Sequence, residues 1–440
     1  MTRVAVASAA GTTIEYYDFF IYGTAAALVF PAVFFPALGA AAGTIASFAT
    51  FAVAFLARPL GAVLFGHYGD RLGRKKTLVS TLTIMGVSTV LIGLLPSAST
   101  IGVLGPILLI VLRFGQGLAV GGEWAGAVLL AAEYAPARKR GLYAAFPQMG
   151  PAFAFALSCA TFLVTNLTLG DQSEAFMSYG WRIPFLLSGV LLVIGLYIRV
   201  KIAETPVFAA EKQELKAQAA PRKLPVLEVF IKQPKEVLLA GGSLVMLFAF
   251  FYIGTAFLTS YGTSRSGLGL DRPTVLALGL VGSVFFAAGA LASGWVSDHW
   301  GRRRVVLGAC IAGIPWSLAL FPLLHIGTPP AFGIGISGTL LILAVAYGPA
   351  GSHLPELFET RYRYTGAGMA YNLAGVLGGG VSPIVAAALL TSSGGSAIGL
   401  LLAGTSVLSV ICTLALRETK GNDLAGIGED SPAASAAFSA

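Results

Sequence analysis

The residues best able to do chemistry in this 440-residue chain are a few ionisable side chains set inside long apolar stretches. Five stand out: Glu15 and Asp18 in the first stretch, Arg58 in the second, and Arg113 and Glu123 in the fourth. Such groups are costly in hydrocarbon, turn toward a bundle interior or a water-filled cavity, and mark ion or substrate paths. Three acids against two arginines leave one uncompensated negative charge, which a proton, a cation or a cationic substrate would relieve. Asp18, Glu123 and Glu15 are therefore the candidate proton carriers.

Spacing sharpens the choice. Glu15, Asp18 and Tyr22 fall at i, i+3 and i+7, one helical face that is expected to line a cavity. Arg113, Gln116 and Glu123 lie within an arc of about 80° on a helix, and Gly115, Gly117, Gly121 and Gly122 beside them allow another helix close approach. Arg58 and Glu123 sit at matching depths, roughly 11 to 13 Å from the inner ends of their stretches, which predicts an ion pair. Arg113 is then the guanidinium left for a carboxylate, whose two oxygens match its planar fork; a tricarboxylate would be poorly served. Beyond Glu236, which opens the seventh, the apolar stretches of the second half carry no Asp, Glu, Lys or Arg. They offer Tyr252, Thr255, Tyr347 and Asn372, with Gln148 from the fifth stretch, as neutral groups for hydrogen bonds and ring packing to the body of a substrate.

The elements that must position these side chains are membrane helices. Hydrophobic residues make up 56% of the chain and charged ones 11%, with mean hydropathy +0.81. Twelve apolar stretches long enough to cross about 30 Å of hydrocarbon are predicted at 14–35, 44–66, 77–95, 104–130, 142–167, 181–199, 236–261, 274–297, 305–324, 331–354, 366–390 and 397–416. The first is a retained span, because Glu15 and Asp18 interrupt what a cleaved signal would keep apolar. With the N-terminus inside, 23 of the 28 Lys and Arg fall on the inner side, which predicts cytoplasmic termini in a multi-pass protein of the plasma (inner) membrane. The net charge of +8 is thus sorted by side of the bilayer, so no nucleic-acid partner is expected.

The sequence repeats. GHYGDRLGRKK, starting at Gly66, returns as GWVSDHWGRRR, starting at Gly294, an offset of 228, and AEYAPARKRG before Leu142 is matched more loosely by PELFETRYRYTG before Ala367. Two pseudo-symmetric halves of six helices follow, at 1–200 and 236–420, joined by a polar cytoplasmic linker at 201–235 and ending in a disordered tail at 421–440. In the repeated loop an acid closes a helix and basic residues follow in a glycine turn. Gly66, Asp70, Arg71, Gly73 and Arg74, with Asp298, Gly301 and Arg302, are the candidate conformational latch, pairing with backbone donors or arginines across the inner rim.

This loop resembles the signature of the major facilitator superfamily, and RFGQG at Arg113 to Gly117 resembles its fourth-helix motif. TTIEYYDFFIYG, GGEWAG, WRIPF and PELFETRYRYTG resemble the metabolite:proton symporter family within it. The resemblance spans nearly all of residues 11 to 420. It implies an all-α membrane fold of two six-helix bundles about a central cavity, and proton symport by alternating access. It also implies substrates such as shikimate, keto- and dicarboxylates, citrate, proline and betaine. No heptad repeat follows Lys420, which speaks against the osmosensing branch that has a C-terminal coiled coil. WRIPF and Glu204-Thr205-Pro206 also resemble sugar porters, so a sugar substrate stays open, as does efflux by proton antiport.

Other classes find no support. Cys159, Cys310 and Cys412 lack a CxxC pair, and His67, His299, His325 and His353 lack ligand spacing, so no metal is expected. No GxxxxGK[ST] and no GxSxG occur, so neither an ATP-driven pump nor a hydrolase is indicated. The expectation is a transporter without catalytic residues or cofactor, driven by a proton gradient, working as a monomer, with a small organic acid or zwitterion and protons as its partners in the bilayer.

Overall fold

The computed structural model describes residues 2–72, 74–121, 135, 137–170, 173–201, 229, 231–359 and 363–421. In hydrocarbon every backbone N–H and C=O must be satisfied within its own segment, and these residues accordingly fold as helices, with no strand among them. The long helices are α1 (Thr2–Leu28), α2 (Gly39–Leu72), α3 (Arg74–Leu94), α4 (Leu104–Val120), α5 (Arg140–Leu169) and α6 (Ile183–Lys201). They continue with α7 (Pro234–Thr263), α8 (Arg272–Trp300), α9 (Arg302–Leu324), α10 (Pro329–Leu357), α11 (Arg363–Ser392) and α12 (Gly395–Ala415).

Among the described residues nine helices are long and apolar enough to cross a membrane. The shorter apolar helices in α3 and α4, with α1, bring the number to the twelve expected. The ends differ where local chemistry extends or breaks a helix. α1 starts at Thr2 rather than at 14, because alanine-rich sequence before Glu15 favours helix, and it stops before Pro31, after which Phe30–Val33 forms one separate turn. Asp271 sharpens the start of α8 by accepting from the Thr274 N–H at 2.9 Å. Helices α7 and α11 each contain a π-helical turn, Ile253–Phe257 and Gly375–Gly380.

The two halves meet along two main lines, α5 on α8 and α10, and α2 on the π turn and later part of α11, with α1 touching α7 between them. The sequence repeat relates α2 to α8 and α5 to α11, so the two lines are equivalents of each other. Within the first half, α2 and α4 approach more closely than side chains allow. A Cβ on Gly117 would strike the Ala54 carbonyl and one on Gly121 the Arg58 carbonyl. This contact brings the two membrane arginines to the same neighbourhood.

Candidate functional site

Arg58 from α2 and Arg113 from α4 both pack on Phe19 of α1. The guanidinium carbons lie 4.6 and 4.4 Å from its ring centroid. Arg58 also covers Phe55 at 4.3 Å, and Arg113 covers Tyr22 at 4.0 Å and Phe51 at 4.6 Å. Aromatic faces attract a desolvated cation without using its N–H donors. Both side chains are buried, and Nε and Nη2 of each find no hydrogen-bond partner among the described residues. A buried guanidinium with open donors is well placed to take an anionic ligand.

Asp18 is held by hydroxyls. Ser188 of α6 donates to Oδ1, and Thr89 of α3 donates to Oδ2 at 2.7 Å. Thr89 Oγ1 in turn accepts from Gln116 Nε2 at 2.6 Å, and Gln116 Oε1 accepts from Arg113 Nη1 at 2.8 Å. Asp18 and Arg113 therefore stand at two ends of one buried chain. Tyr22 belongs to the same neighbourhood but to another partner. Thr50 uses its proton on the Ser47 carbonyl at 2.7 Å, so Tyr22 donates to Thr50, at 2.6 Å.

A small cavity opens beside Arg58, lined by Glu15, Tyr16, Phe19, Arg58, Val120, Gly121, Gly368, Tyr371 and Asn372. The polar face of α1 is real, but only its Glu15 lines this cavity. Different helices pack on that face at different depths, so Asp18 meets α3 and α6 and Tyr22 meets α2. Asn372 lines the cavity and donates to the Gly121 carbonyl at 3.2 Å. Tyr371 shares a hydrogen bond with Tyr16 at 2.7 Å and with Tyr347 at 3.3 Å, and Gln148 donates to the Tyr347 carbonyl at 3.0 Å, joining α5 to α10. Tyr252 meets Phe51 and Phe55 edge-on, with centroids 5.2 and 5.0 Å away. Thr255 donates to the Phe251 carbonyl of its own helix at 2.6 Å.

At the end carrying the repeated loops, Asp298 caps a helix of the other half. Its oxygens accept from the Gly141 and Leu142 N–H groups at 2.8 and 2.9 Å, and Arg302 pairs with it at 2.7 Å. Helix α10 runs to Leu357, past its expected end at 354, so it buries Glu356 between Arg302 at 3.5 Å and Arg140 at 3.6 Å. The second half thus does hold a buried acid in a spanning helix. Residues Arg417 to Lys420 are also built into this end rather than trailing from it. Glu418 accepts from the Arg302, Thr419 and Lys420 N–H groups at 2.8, 3.0 and 3.1 Å, and Lys420 donates to the His299 carbonyl at 2.6 Å. Burial alone would raise the Glu418 carboxyl, but the N–H donors of Lys420, Arg302, Thr419 and Arg303 outweigh it and hold the group below its ordinary range. Gly301, with φ +105°, is required here twice: a Cβ would be strained in that conformation and would strike Glu418 Oε2.

Gly66, Asp70 and Arg71 close α2 and Arg74 opens α3. Their backbone alone is described; Gly73, Glu123 and the Arg58–Glu123 pair lie outside the described residues. Sequence reading passed over Phe19, Tyr16 and Tyr371, and also Thr89 and Ser188, which are lone hydroxyls in apolar helices with no periodic signal. Glu356 and Arg140 lay within the quoted repeats, so their signal was available.

The comparisons agree with this architecture. A family model described as Major Facilitator Superfamily matches residues 9–379. The chain is 44% identical to the Inner membrane metabolite transport protein YhjE of Escherichia coli (strain K12), over 96% of this chain and 95% of that protein. It is 39% identical to the Shikimate transporter of the same strain, over 95% of each, and 32% identical to the Proline/betaine transporter of Salmonella typhimurium, over 99% of this chain and 86% of that one. Its fold matches a partially occluded inward open conformation of the xylose transporter XylE from E. coli, with TM-score 0.71, 17% identity and coverage of 96% and 98%. Twelve helices in two related halves, buried charges on the first of them and full-length metabolite-transporter relatives make this chain a membrane transporter, not an enzyme, that belongs to the major facilitator superfamily.

Proposed function

We propose that the protein is a proton-coupled symporter that takes up a small organic acid with one carboxylate, or a zwitterion, by alternating access. The observation that carries this reading is the pair of buried guanidiniums on Phe19 with donors open among the described residues, one lining the cavity and the other wired to a buried acid. Arg113 is the group for the substrate's acid function, and Arg58 lies beside it on Phe19. Gln116, Tyr22, Gln148, Tyr252, Thr255, Tyr347 and Asn372 remain the candidates for contacts to its body, together with Tyr16 and Tyr371, and Arg58 with Glu123 the candidate membrane ion pair. Asp18 is the first candidate proton carrier, with Glu123 and Glu15 after it. The relatives' names, metabolite, shikimate and proline/betaine transporters, favour carboxylates and zwitterions over sugars. Asp298 with Arg302, and the corresponding Asp70 loop, act as latches between states on the cytoplasmic side of the plasma membrane, where both termini lie.

Counterflow in proteoliposomes with a panel of carboxylates, amino acids, quaternary amines and sugars tests the substrate class. An imposed ΔpH then tests coupling. A carboxylate or zwitterion should exchange, and should accumulate uphill only under inward-directed ΔpH; exchange confined to sugars would overturn the reading.

A further inference from the structure

On this reading, the acid that takes the proton and the guanidinium that takes the substrate share no hydrogen bond or ion pair, and two neutral side chains stand between them. Thr89 has one hydroxyl proton and two acceptors in reach, Asp18 Oδ2 at 2.7 Å and the Met85 carbonyl at 2.9 Å. Its oxygen meanwhile accepts from Gln116 Nε2 at 2.6 Å. The Gln116 amide is fixed in that sense, because its oxygen is occupied by Arg113 Nη1 at 2.8 Å.

The chain has two complete arrangements with the same heavy-atom positions. With Asp18 ionised, Thr89 donates to it, and donors run unbroken from the Arg113 cation to the Asp18 anion, each bond polarising the next. With a proton on Asp18 Oδ2, that O–H donates to Thr89 Oγ1, and Thr89 turns its hydrogen to the Met85 carbonyl already beside it. The chain then ends on a neutral group, and the charge of Arg113 has lost its distant counterpart. Arg113 Nε and Nη2, open among the described residues, are the donors left to answer with a substrate carboxylate. Few other groups face Asp18 among the described residues. Arg113 comes from α4 and Tyr17 from its own helix, while α3 and α6 present the hydroxyls of Thr89 and Ser188.

We infer that Thr89 and Gln116 are positioning residues for coupling, carrying the protonation of Asp18 to the Arg113 guanidinium so that the proton loads before the acid group of the substrate. This rests on the proposed roles of Asp18 and Arg113.

The test is the pH dependence of affinity and of accumulation, with shikimate as probe, or the carboxylate from the counterflow panel if shikimate gives no exchange. In the unmodified protein affinity should weaken as pH rises, by up to about tenfold per pH unit for one linked proton. Thr89→Val keeps the shape and removes the hydroxyl. Its affinity should become flat with pH, and ΔpH-driven accumulation should fall by about tenfold or more while counterflow stays within about threefold. Thr89→Ser should retain the slope, and Thr89→Ala replaces the valine variant if that one does not fold. A Thr89→Val protein with the original pH slope and full accumulation would overturn the inference. Asp18→Asn separates the two levels: a flat profile there with an unchanged one in Thr89→Val removes only the relay, whereas an unchanged profile in Asp18→Asn removes the assignment of Asp18 itself.

Discussion

The carboxylate of Asp298, at the close of α8 in the second half, accepts from the backbone N–H of Gly141, at the start of α5 in the first, at 2.8 Å. One acid therefore joins two halves that, on the proposed alternating-access reading, separate at this end. Asp298→Asn keeps an acceptor but loses the charge that both the helix N-terminus and Arg302 favour. Maximal transport rate should change by about three- to tenfold while substrate affinity in binding assays stays within about twofold, because the tie governs the cycle and not the site. Unchanged uptake kinetics at equal surface expression would remove the latch role.

Arg113→Lys retains a positive charge but gives up the fork and the flat stacking on Tyr22, Phe19 and Phe51. Affinity for a carboxylate should fall on the order of tenfold or more, ~1.4 kcal/mol or above. Arg58→Lys should do the same if the acid group enters the cavity that Arg58 lines. Scintillation proximity binding on both variants checks this, and undiminished affinity in both would exclude a guanidinium-bound substrate.

Asp18→Asn removes a proton site while preserving shape and the ability to bond Thr89 and Ser188. Uphill accumulation under ΔpH should disappear and counterflow exchange should persist. Glu15→Gln and Glu123→Gln need the same pair of assays, since neighbouring acids can share a proton. Full accumulation in Asp18→Asn would move the assignment to one of them.

Glu418 carries a pH dependence whose sign is defined. Its carboxyl is lowered in the folded protein from an ordinary 4.5, so the strap it anchors is stabilised above that value and loses the stabilisation as pH falls through the lower folded value. In detergent, Glu418→Gln should lower Tm at pH 7, and the difference from the unmodified protein should close below about pH 4. A gap that widens on acidification would reverse the assignment.

Topology is tested by reporter fusions at Glu211 and after Lys420, which should both report the cytoplasm. Opposite sides would contradict the twelve-helix count.

The helices were legible because long apolar runs and the sorting of Lys and Arg are properties of single segments. Asp18, Arg58 and Arg113 were legible for the same reason, each being an ion where lipid would penalise it. What escaped depends on neighbours from distant segments. Glu15 and Asp18 share a helical face, yet one meets a cavity beside Tyr371 and the other a threonine on α3, and spacing within α1 contains neither partner. Phe19 looked like ordinary lipid-facing or core aromatic sequence until two arginines were found on it. The strap at Arg417 to Lys420 is too short and polar to announce a docking partner, and its order comes from the N–H groups and carbonyls it meets.

The two π-helical turns, Ile253–Phe257 and Gly375–Gly380, both belong to the half whose helix interiors carry no ion around the site. A π turn holds one residue more than the helix on either side requires, and that surplus can be passed along the axis, turning the segment beyond it by about 100° and advancing it about 1.5 Å. The α11 turn lies against Phe55 at Gly375 and Gly379 and against the Val245 backbone of α7 at Gly378, while the arginine-bearing helices α2 and α4 meet backbone to backbone through Gly117 and Gly121. Around the site, the membrane arginines thus stand in one half and the helix irregularities in the other.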